Sequence, residues 1–559
     1  MSTERRWNGW GEPDVTSDVS PSSAALLQQL IGPGTSPRDA TLPEVLAGLP
    51  ASRLVEGMVG ANGGTIAGTA ASRLAAGTAA SDRLTLDPEA RVRHARGQSL
   101  PDWIALRSGR LPAVPDAVAR PRTSADVRSL LTVASERSWR LIPFGGGTSV
   151  VGGVSVRPSD RPVVSVDMTA LSGLRAFDAR SSLATFGAGT LGPAVEAALA
   201  EHGLELGHAP QSFEFSTVGG WVATRSSGQA SMGVGRIEAL FAGGHLESPA
   251  GPLDLPPFPA SAAGPDLREL VLGSEGRLGF LTEVIVRATP QPARDVIRAY
   301  RVPTWDRALE LGRDLARSGL PLRMVRVSTP SETATMMASA GDSRATAWLR
   351  RYVRWRGQGA ESCLVLVGFA GSTALVRATD GDLASVVKRA GGIGLPGVGP
   401  VWRRQRFRGA YLRNALWAAG YAVDTLETAA TWDAIPALAA ALTPALRHGL
   451  ESEGERVHAF SHLSHLYPSG SSLYVTYLFR IAVDPDETLD RWRRLKRIGS
   501  ETIVAHGGTI SHQHGVGVDH APYLAAEKGP LGMTTLADAI ARFDPDGILH
   551  RGVLLEDGS

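Results

Sequence analysis

Two kinds of segment in this chain carry side chains or backbone that could do chemistry. The first is the glycine-rich stretch Pro143-Phe144-Gly145-Gly146-Gly147-Thr148-Ser149, directly after the apolar pair Leu141-Ile142 and before Val150-Val151-Gly152-Gly153. Three consecutive glycines let the backbone turn sharply and aim several N–H groups into one concavity, which holds a pyrophosphate without lysines. The Gly-Lys-Ser/Thr ending of a nucleoside-triphosphate loop is missing, so a dinucleotide held for its own chemistry fits better than ATP. Read alone, the stretch fits a turn between two strands equally well. The second segment is Ser511-His512-Gln513-His514-Gly515-Val516-Gly517. If it is extended, His512 and His514 project to one side, placed to polarise a substrate oxygen or relay a proton. The His-x-His spacing, with His506 and His520 nearby, also suits a metal. No carboxylate or thiolate completes an evident coordination shell, and no metal is expected.

Further segments join the first. One runs Gln211-Ser212-Phe213-Glu214-Phe215-Ser216-Thr217 and on to Gly219-Gly220-Trp221 and Thr224-Arg225-Ser226-Ser227. Another is Glu275-Gly276-Arg277-Leu278-Gly279-Phe280-Leu281. Small hydroxyl residues beside glycines allow a planar ring and its phosphates to lie against the backbone, and together the segments outline an extended groove. Gly187-Ala188-Gly189-Thr190-Leu191-Gly192 matches the G-x-G-x-x-G of a Rossmann site, but no clear acidic residue ends a third strand about twenty residues on.

The elements that must position these residues follow from periodicity. Val127, Leu130, Leu131 and Ala134 repeat at helical spacing after Thr123-Ser124, with Asp126 as a cap requires; this helix feeds the strand ending at Phe144. Residues 162–167 and 183–186 read as strands and 193–202 as a helix, an α+β mixture. Composition shifts after Pro290-Gln291-Pro292. The expected division is an N-terminal helix-and-loop extension over 1–99, a cofactor domain over 100–290, a second α+β domain over 291–490, and a C-terminal segment, 491–559, packed back on the cofactor domain.

Composition excludes several classes. In 559 residues the formal net charge is +2, which argues against general nucleic-acid binding. Cys363 is the only cysteine, so no internal disulfide forms and a thiolate-rich zinc site is ruled out. No apolar run approaches a bilayer span, Met1 to Trp10 lacks a signal-like apolar core, and a cytoplasmic location is expected. Arg350, Arg351, Arg354 and Arg356 interleave with Trp348, Leu349, Tyr352, Val353 and Trp355. The stretch reads either as a helix at a membrane surface or as a surface helix with its aromatic side on the core.

The glycine segments resemble the flavin-binding domain of the vanillyl-alcohol oxidase superfamily, also called p-cresol-methylhydroxylase type (PCMH-type). Within it the chain resembles the alkyldihydroxyacetonephosphate synthases, through Trp7-Asn8-Gly9-Trp10-Gly11, Glu214 to Trp221, Leu426-Glu427-Thr428 with Trp432-Asp433, and Gly507 to Gly517. The resemblance implies a two-domain flavoprotein of α+β class, a PCMH-type FAD domain under an α+β cap, with noncovalent FAD on the three groove segments. It implies alkyl-for-acyl exchange on acyl-dihydroxyacetone phosphate in ether-lipid synthesis, with flavin N5 as covalent catalyst and no net redox. Tyr467 is then the acid/base, Arg413 of Tyr411-Leu412-Arg413-Asn414 meets the substrate, and Arg326 of Val325-Arg326-Val327, His512 and His514 support catalysis. A lipid-like or small-molecule substrate, peripheral membrane contact and a homodimer are expected.

Three departures from the family pattern bear on substrate recognition. Gln513 replaces a histidine, Thr329 an aspartate, and Val518-Asp519-His520 a basic stretch; Arg403, Arg404, Arg406 and Arg408 are alternative cations. Two other readings stay open: an FAD-linked oxidase or dehydrogenase of a 2-hydroxy acid or related alcohol, and a flavin-binding protein without turnover.

Overall fold

The computed structural model describes residues 5–56, 83–341 and 343–556. The helix expected after Thr123 spans Ser124–Arg137. Thr123 starts it: its hydroxyl accepts the Asp126 N–H, and the Asp126 carboxylate accepts the Thr123 N–H in return. Such a cap contributes about 1 kcal/mol. The stripe Val127, Leu130, Leu131 and Ala134 is buried against Ala117, Leu141, Val164 and Val166, and each of the larger side chains contributes roughly 1.5–3 kcal/mol by leaving water. The helix delivers the chain into Arg140–Phe144, which ends at the glycine loop. That strand closes a four-stranded sheet in the order Leu84–Thr85, Ala117–Ala119, Val163–Asp167, Arg140–Phe144, parallel except at its first pair.

A five-stranded antiparallel sheet follows, in the order Leu174–Asp178, Leu183–Gly187, Phe280–Arg287, Phe241–Ser248, Gly251–Leu255. Its direction removes the Rossmann reading of Gly187 to Gly192, since a dinucleotide βαβ unit needs parallel strands. Gly189 is instead pressed on the Met168 backbone, where a Cβ would strike the carbonyl oxygen.

Seven antiparallel strands form the third sheet, in the order Ile393–Gly394, Arg294–Val302, Cys363–Gly371, Leu322–Ser328, His458–Tyr467, Gly470–Arg480, Tyr421–Thr431. Alternation along Cys363–Gly371 shows its two faces. Cys363, Val365, Val367 and Phe369 enter a core shared with the helices Trp305–Arg317, Ile435–His448 and Pro485–Ala505. Leu364 and Leu366 pack under Arg344–Trp355 and Val398–Gln405.

Both ends of the described chain are tied to this body. Leu549 pairs in parallel with Leu141, whose N–H donates to the Ile548 carbonyl at 2.8 Å, so the C-terminal segment lies beside the strand leading to the glycine loop. Near the other end, the Asn414 side chain clamps Trp10, accepting its N–H at 3.2 Å and donating to its carbonyl at 2.9 Å. Residues 57–82 of the expected N-terminal extension lie outside the described residues.

The helix Arg344–Trp355 corrects one alternative. Leu349, Tyr352 and Val353 face the sheet, but Trp348 and Trp355 are 59% and 78% exposed, so its aromatic side is not wholly on the core. No helix among the described residues is long and apolar enough to cross a membrane.

Candidate functional site

The glycine segments, far apart in sequence, meet around one cleft of about 720 Å³ counting its open mouth. Of the residues predicted to hold the cofactor, Pro143, Gly145, Ser149, Thr217, Thr224, Glu275, Gly276, Gly279, Phe280 and Leu281 line it. Sequence reasoning missed Val154, Met168, Ala223 and Ser274 in the lining and noted Ala188 only within the Rossmann-like spacing; Gly153, Gly219 and Gly220 carried a signal as glycine pairs flanking the predicted segments. Close approach explains the glycines. A Cβ at Gly146 would run into the Phe215 carbonyl oxygen, and one at Gly276, whose φ is +80°, would strike the Pro143 ring. A lining of glycine backbone and small side chains fits FAD, whose pyrophosphate needs N–H donors and whose ring needs a flat wall.

The other predicted cofactor residues brace the cleft and do not line it. Phe144 packs on His94, and Gly147 turns with φ +64° against the Phe144 ring. Thr148 is half-buried in the loop. Gln211 is exposed and donates to the Arg406 carbonyl, while the Ser212 carbonyl accepts the N–H groups of Phe215 and Ser216. Phe213 stacks between Trp221 and Phe407, Glu214 accepts the Tyr411 hydroxyl, Phe215 packs on Trp10, and Ser216 accepts the Trp221 indole N–H. Arg225 pairs with Glu269, and Ser226 contacts His208. Ser227 contacts His465, Arg277 reaches the Val553 carbonyl, and Leu278 is buried with Ile540 and Leu555. His208, next to Ser226, is wholly buried; burial lowers its pKa to about 3.

Glu275 joins the cleft to the histidine loop. Its carboxylate accepts the Val516 and Gly517 N–H groups at 2.6 and 2.8 Å. Burial pushes this carboxyl up to about 7, with the two hydrogen bonds only partly opposing it. The loop thus held presents His512, whose Nε2 lies 2.7 Å from the Tyr467 hydroxyl.

Local geometry brings Tyr467 there. Leu463 and Leu466 both enter the core, which strict strand alternation forbids, and the register with Gly470–Arg480 slips between them. Bulges of this kind re-aim side chains beside functional sites. Arg236 donates to the Tyr467 oxygen at 3.4 Å and to the His512 carbonyl at 2.9 Å. Burial raises the Tyr467 phenol above its ordinary pKa, with the Arg236 charge opposing. Neither Arg236 nor Glu427 was singled out as a site residue from sequence. Glu427 did lie in the motif Leu426-Glu427-Thr428; Arg236 carried no signal.

Glu427 is buried at the centre of this cluster. Its Oε1 is 3.2 Å from His512 Nδ1 and 3.9 Å from His465 Nε2, and its Oε2 is 3.7 Å from His514 Nε2. It also accepts the Ser464 hydroxyl at 3.0 Å and the Gln513 amide at 2.5 Å. The substituted Gln513 therefore still addresses the histidine cluster. Burial alone would raise the Glu427 carboxyl, but the His512 imidazole 3.2 Å away and the neighbouring histidine charges outweigh it and hold it well below the ordinary range. Burial lowers His465 to about 3 and also lowers His514. Ligand atoms of Glu427, His465 and His512 lie within 4.8 Å of one another, so the carboxylate absent from the sequence reading of a metal site is supplied from a distant strand. Gln513 and Ser464 already occupy the Glu427 oxygens.

The two arginines are not in contact with Tyr467. Arg326 donates to Glu332 at 2.8 Å and contacts His462 at 3.1 Å. Arg413 is half-buried over the Trp103 ring at 4.3 Å, and its Nη1 donates to the Gln98 carbonyl. Its buried Nε and Nη2 have no hydrogen-bond partner among the described residues, and burial lowers it to about 10 against the pull of Asp424 and Asp102. Thr329 starts the helix Pro330–Ser339, its hydroxyl donating to the Ser461 carbonyl.

Comparison with known proteins agrees with this geometry. Residues 115–251 match the family described as FAD binding domain, and residues 291–554 match FAD linked oxidases, C-terminal domain. The chain is 30% identical over 443 residues to alkyldihydroxyacetonephosphate synthase of Dictyostelium discoideum, covering 78% of this chain and 72% of that one. With the synthase of Trypanosoma brucei brucei the identity is 28% over 479 residues, covering 83% and 77%. A solved alkyldihydroxyacetonephosphate synthase structure superposes with a TM-score of 0.80 at 25% identity, covering 97% of this chain and 98% of that one. With this extent of match in sequence and fold, and the FAD-type cleft joined to a tyrosine–histidine cluster, the chain belongs to the alkyldihydroxyacetonephosphate synthase family.

Proposed function

We propose that this enzyme exchanges the acyl group of acyl-dihydroxyacetone phosphate for a fatty alcohol, releasing a fatty acid and leaving an ether, with FAD bound noncovalently. The observation that carries the reading is the 2.7 Å contact between Tyr467 and His512, held beside the FAD cleft by Glu275. When bound, FAD supplies the nucleophile that displaces the carboxylate. Tyr467 moves the proton at the carbon bearing the ester, as general acid/base catalysis requires of a group within hydrogen-bond reach. His512 accepts and returns that proton, and the Arg236 guanidinium steadies negative charge on the phenol oxygen. Two buried guanidinium nitrogens of Arg413, Nε and Nη2, have no hydrogen-bond partner among the described residues, and a planar guanidinium suits a phosphate.

A lipid substrate has to be drawn from a membrane, and the helix Arg344–Trp355 suits an anionic bilayer surface. Arg344, Trp348, Arg351 and Trp355 stand exposed at i, i+4, i+7 and i+11, with no carboxylate paired to Arg344, Arg351 or Arg354 among the described residues. Alternating tryptophan and arginine on one face combine interfacial rings with attraction to anionic headgroups. The proposal as a whole is tested by incorporation of labelled fatty alcohol into acyl-dihydroxyacetone phosphate by the purified holoenzyme, with Tyr467→Phe as control.

A further inference from the structure

We infer that Glu427 is a positioning residue for the Tyr467 acid/base, acting through His512. The inference rests on the exchange reading only for which substrate proton is moved. A carboxylate 1% exposed, with no lysine or arginine within ion-pair reach among the described residues, is an unusual thing to bury. Its neighbours give it a use. Glu427 and Tyr467 sit on opposite nitrogens of one imidazole: Nε2 meets the phenol in hydrogen-bond geometry at 2.7 Å, and Nδ1, which makes no hydrogen bond of good geometry among the described residues, has the carboxylate at an ion-pair distance of 3.2 Å.

A carboxylate only accepts, so the single proton of a neutral His512 belongs on Nδ1 and Nε2 is left bare toward the phenol. The proton step then balances with no further reactant. The Tyr467 O–H bond breaks and the His512 Nε2–H bond forms, leaving a phenolate beside Arg236 and an imidazolium beside Glu427; the reverse step restores both. His465 and His514 also approach Glu427, but no contact joins either to the Tyr467 hydroxyl. The two side chains that contact Glu427 without titrating, Gln513 and Ser464, fix its orientation. This is the logic of a carboxylate–imidazole pair that serves a nucleophile elsewhere, applied here to a phenol.

The test uses full-length holoenzyme with ¹⁵N-labelled histidine, His512 being assigned by His512→Asn. The expected wild-type spectrum shows His512 protonated at Nδ1. Glu427→Gln should disturb that tautomer and lower kcat by about 10²–10⁴-fold with KM within about 3-fold, and Glu427→Asp should recover part of the loss. The pH profile of Glu427→Gln should also move, since His462, His465, His514, Tyr467, Tyr474 and Arg236 all feel this charge. A wild-type His512 protonated at Nε2 overturns the inference whether or not the variants fold. So does a Glu427→Gln enzyme with kcat within about 3-fold and an unchanged tautomer. If the Nδ1 tautomer and its dependence on Glu427 hold while wild type exchanges no alcohol, the exchange reading has failed and this inference stands.

Discussion

The phenol oxygen of Tyr467 and Nε2 of His512 lie 2.7 Å apart although 45 residues separate them. Two independent devices hold the pair. A bulge turns the end of His458–Tyr467, and Glu275 grips the backbone of the loop that carries His512. Tyr467→Phe removes the proton and nothing in the cleft lining, so it should lower exchange by about 10²–10⁴-fold while flavin content stays at the wild-type level. Activity and the flavin absorbance ratio, measured on the same preparation, check this.

Gly146→Ala should abolish FAD retention. Its new Cβ meets the Phe215 carbonyl oxygen, a backbone atom that cannot swing aside, and the loop must move off the cleft. Gly359→Ala, with nothing within 4 Å of the added carbon, is the control and should bind flavin normally. Flavin content of the two purified variants separates them.

Asp519 should make stability fall with rising pH. Burial, aided by Asp424 and Asp102 and opposed by Lys496, lifts its carboxyl to about 7, against roughly 3.9 in an unfolded chain. The folded state keeps a proton that the unfolded state releases, so this stabilisation is whole below about pH 4 and is lost as pH rises through 7. Asp519→Asn, which mimics the protonated form, should gain stability over wild type between pH 5 and 8 by on the order of 2 kcal/mol. Denaturant midpoints at the two pH values test it; a gap that does not widen contradicts the assignment.

Replacing Trp348 and Trp355 together by alanine should weaken sedimentation with vesicles containing anionic lipid by about tenfold or more. Each ring is mostly exposed, so folding should be untouched. Equal binding by wild type and variant would remove this helix as the lipid-facing surface.

The cofactor cleft was legible because its signal is local: runs such as Gly145-Gly146-Gly147 and Glu275-Gly276 show their backbone freedom in the sequence itself. At Gly187 to Gly192 the spacing matches a Rossmann loop, a reading the missing acidic residue already counted against; strand direction, a non-local property, removes it. Glu427 escaped the metal and proton-relay readings because it comes from Tyr421–Thr431, remote from the histidine loop, and only tertiary packing brings it under His512. The exposed face of Arg344–Trp355 was ambiguous for another reason. Apolar residues occur on both sides of the helix, and periodicity could not choose between Leu349 and Val353 on one side and Trp348 and Trp355 on the other.

Reduction of the flavin gives the alternative chemistry a direct hearing. Anaerobic mixing of holoenzyme with a panel of D-2-hydroxy acids should leave the flavin spectrum oxidised, because the proposed exchange moves a proton and an alkoxy group but no net electrons. Bleaching by any member would favour a dehydrogenase.

The central claim is tested most directly by following radiolabelled hexadecanol with acyl-dihydroxyacetone phosphate and purified holoenzyme. The account predicts label in an alkali-stable ether product with release of one fatty acid per alcohol incorporated, and loss of both in Tyr467→Phe. Absence of labelled ether from wild type, or equal incorporation by wild type and Tyr467→Phe, would contradict it.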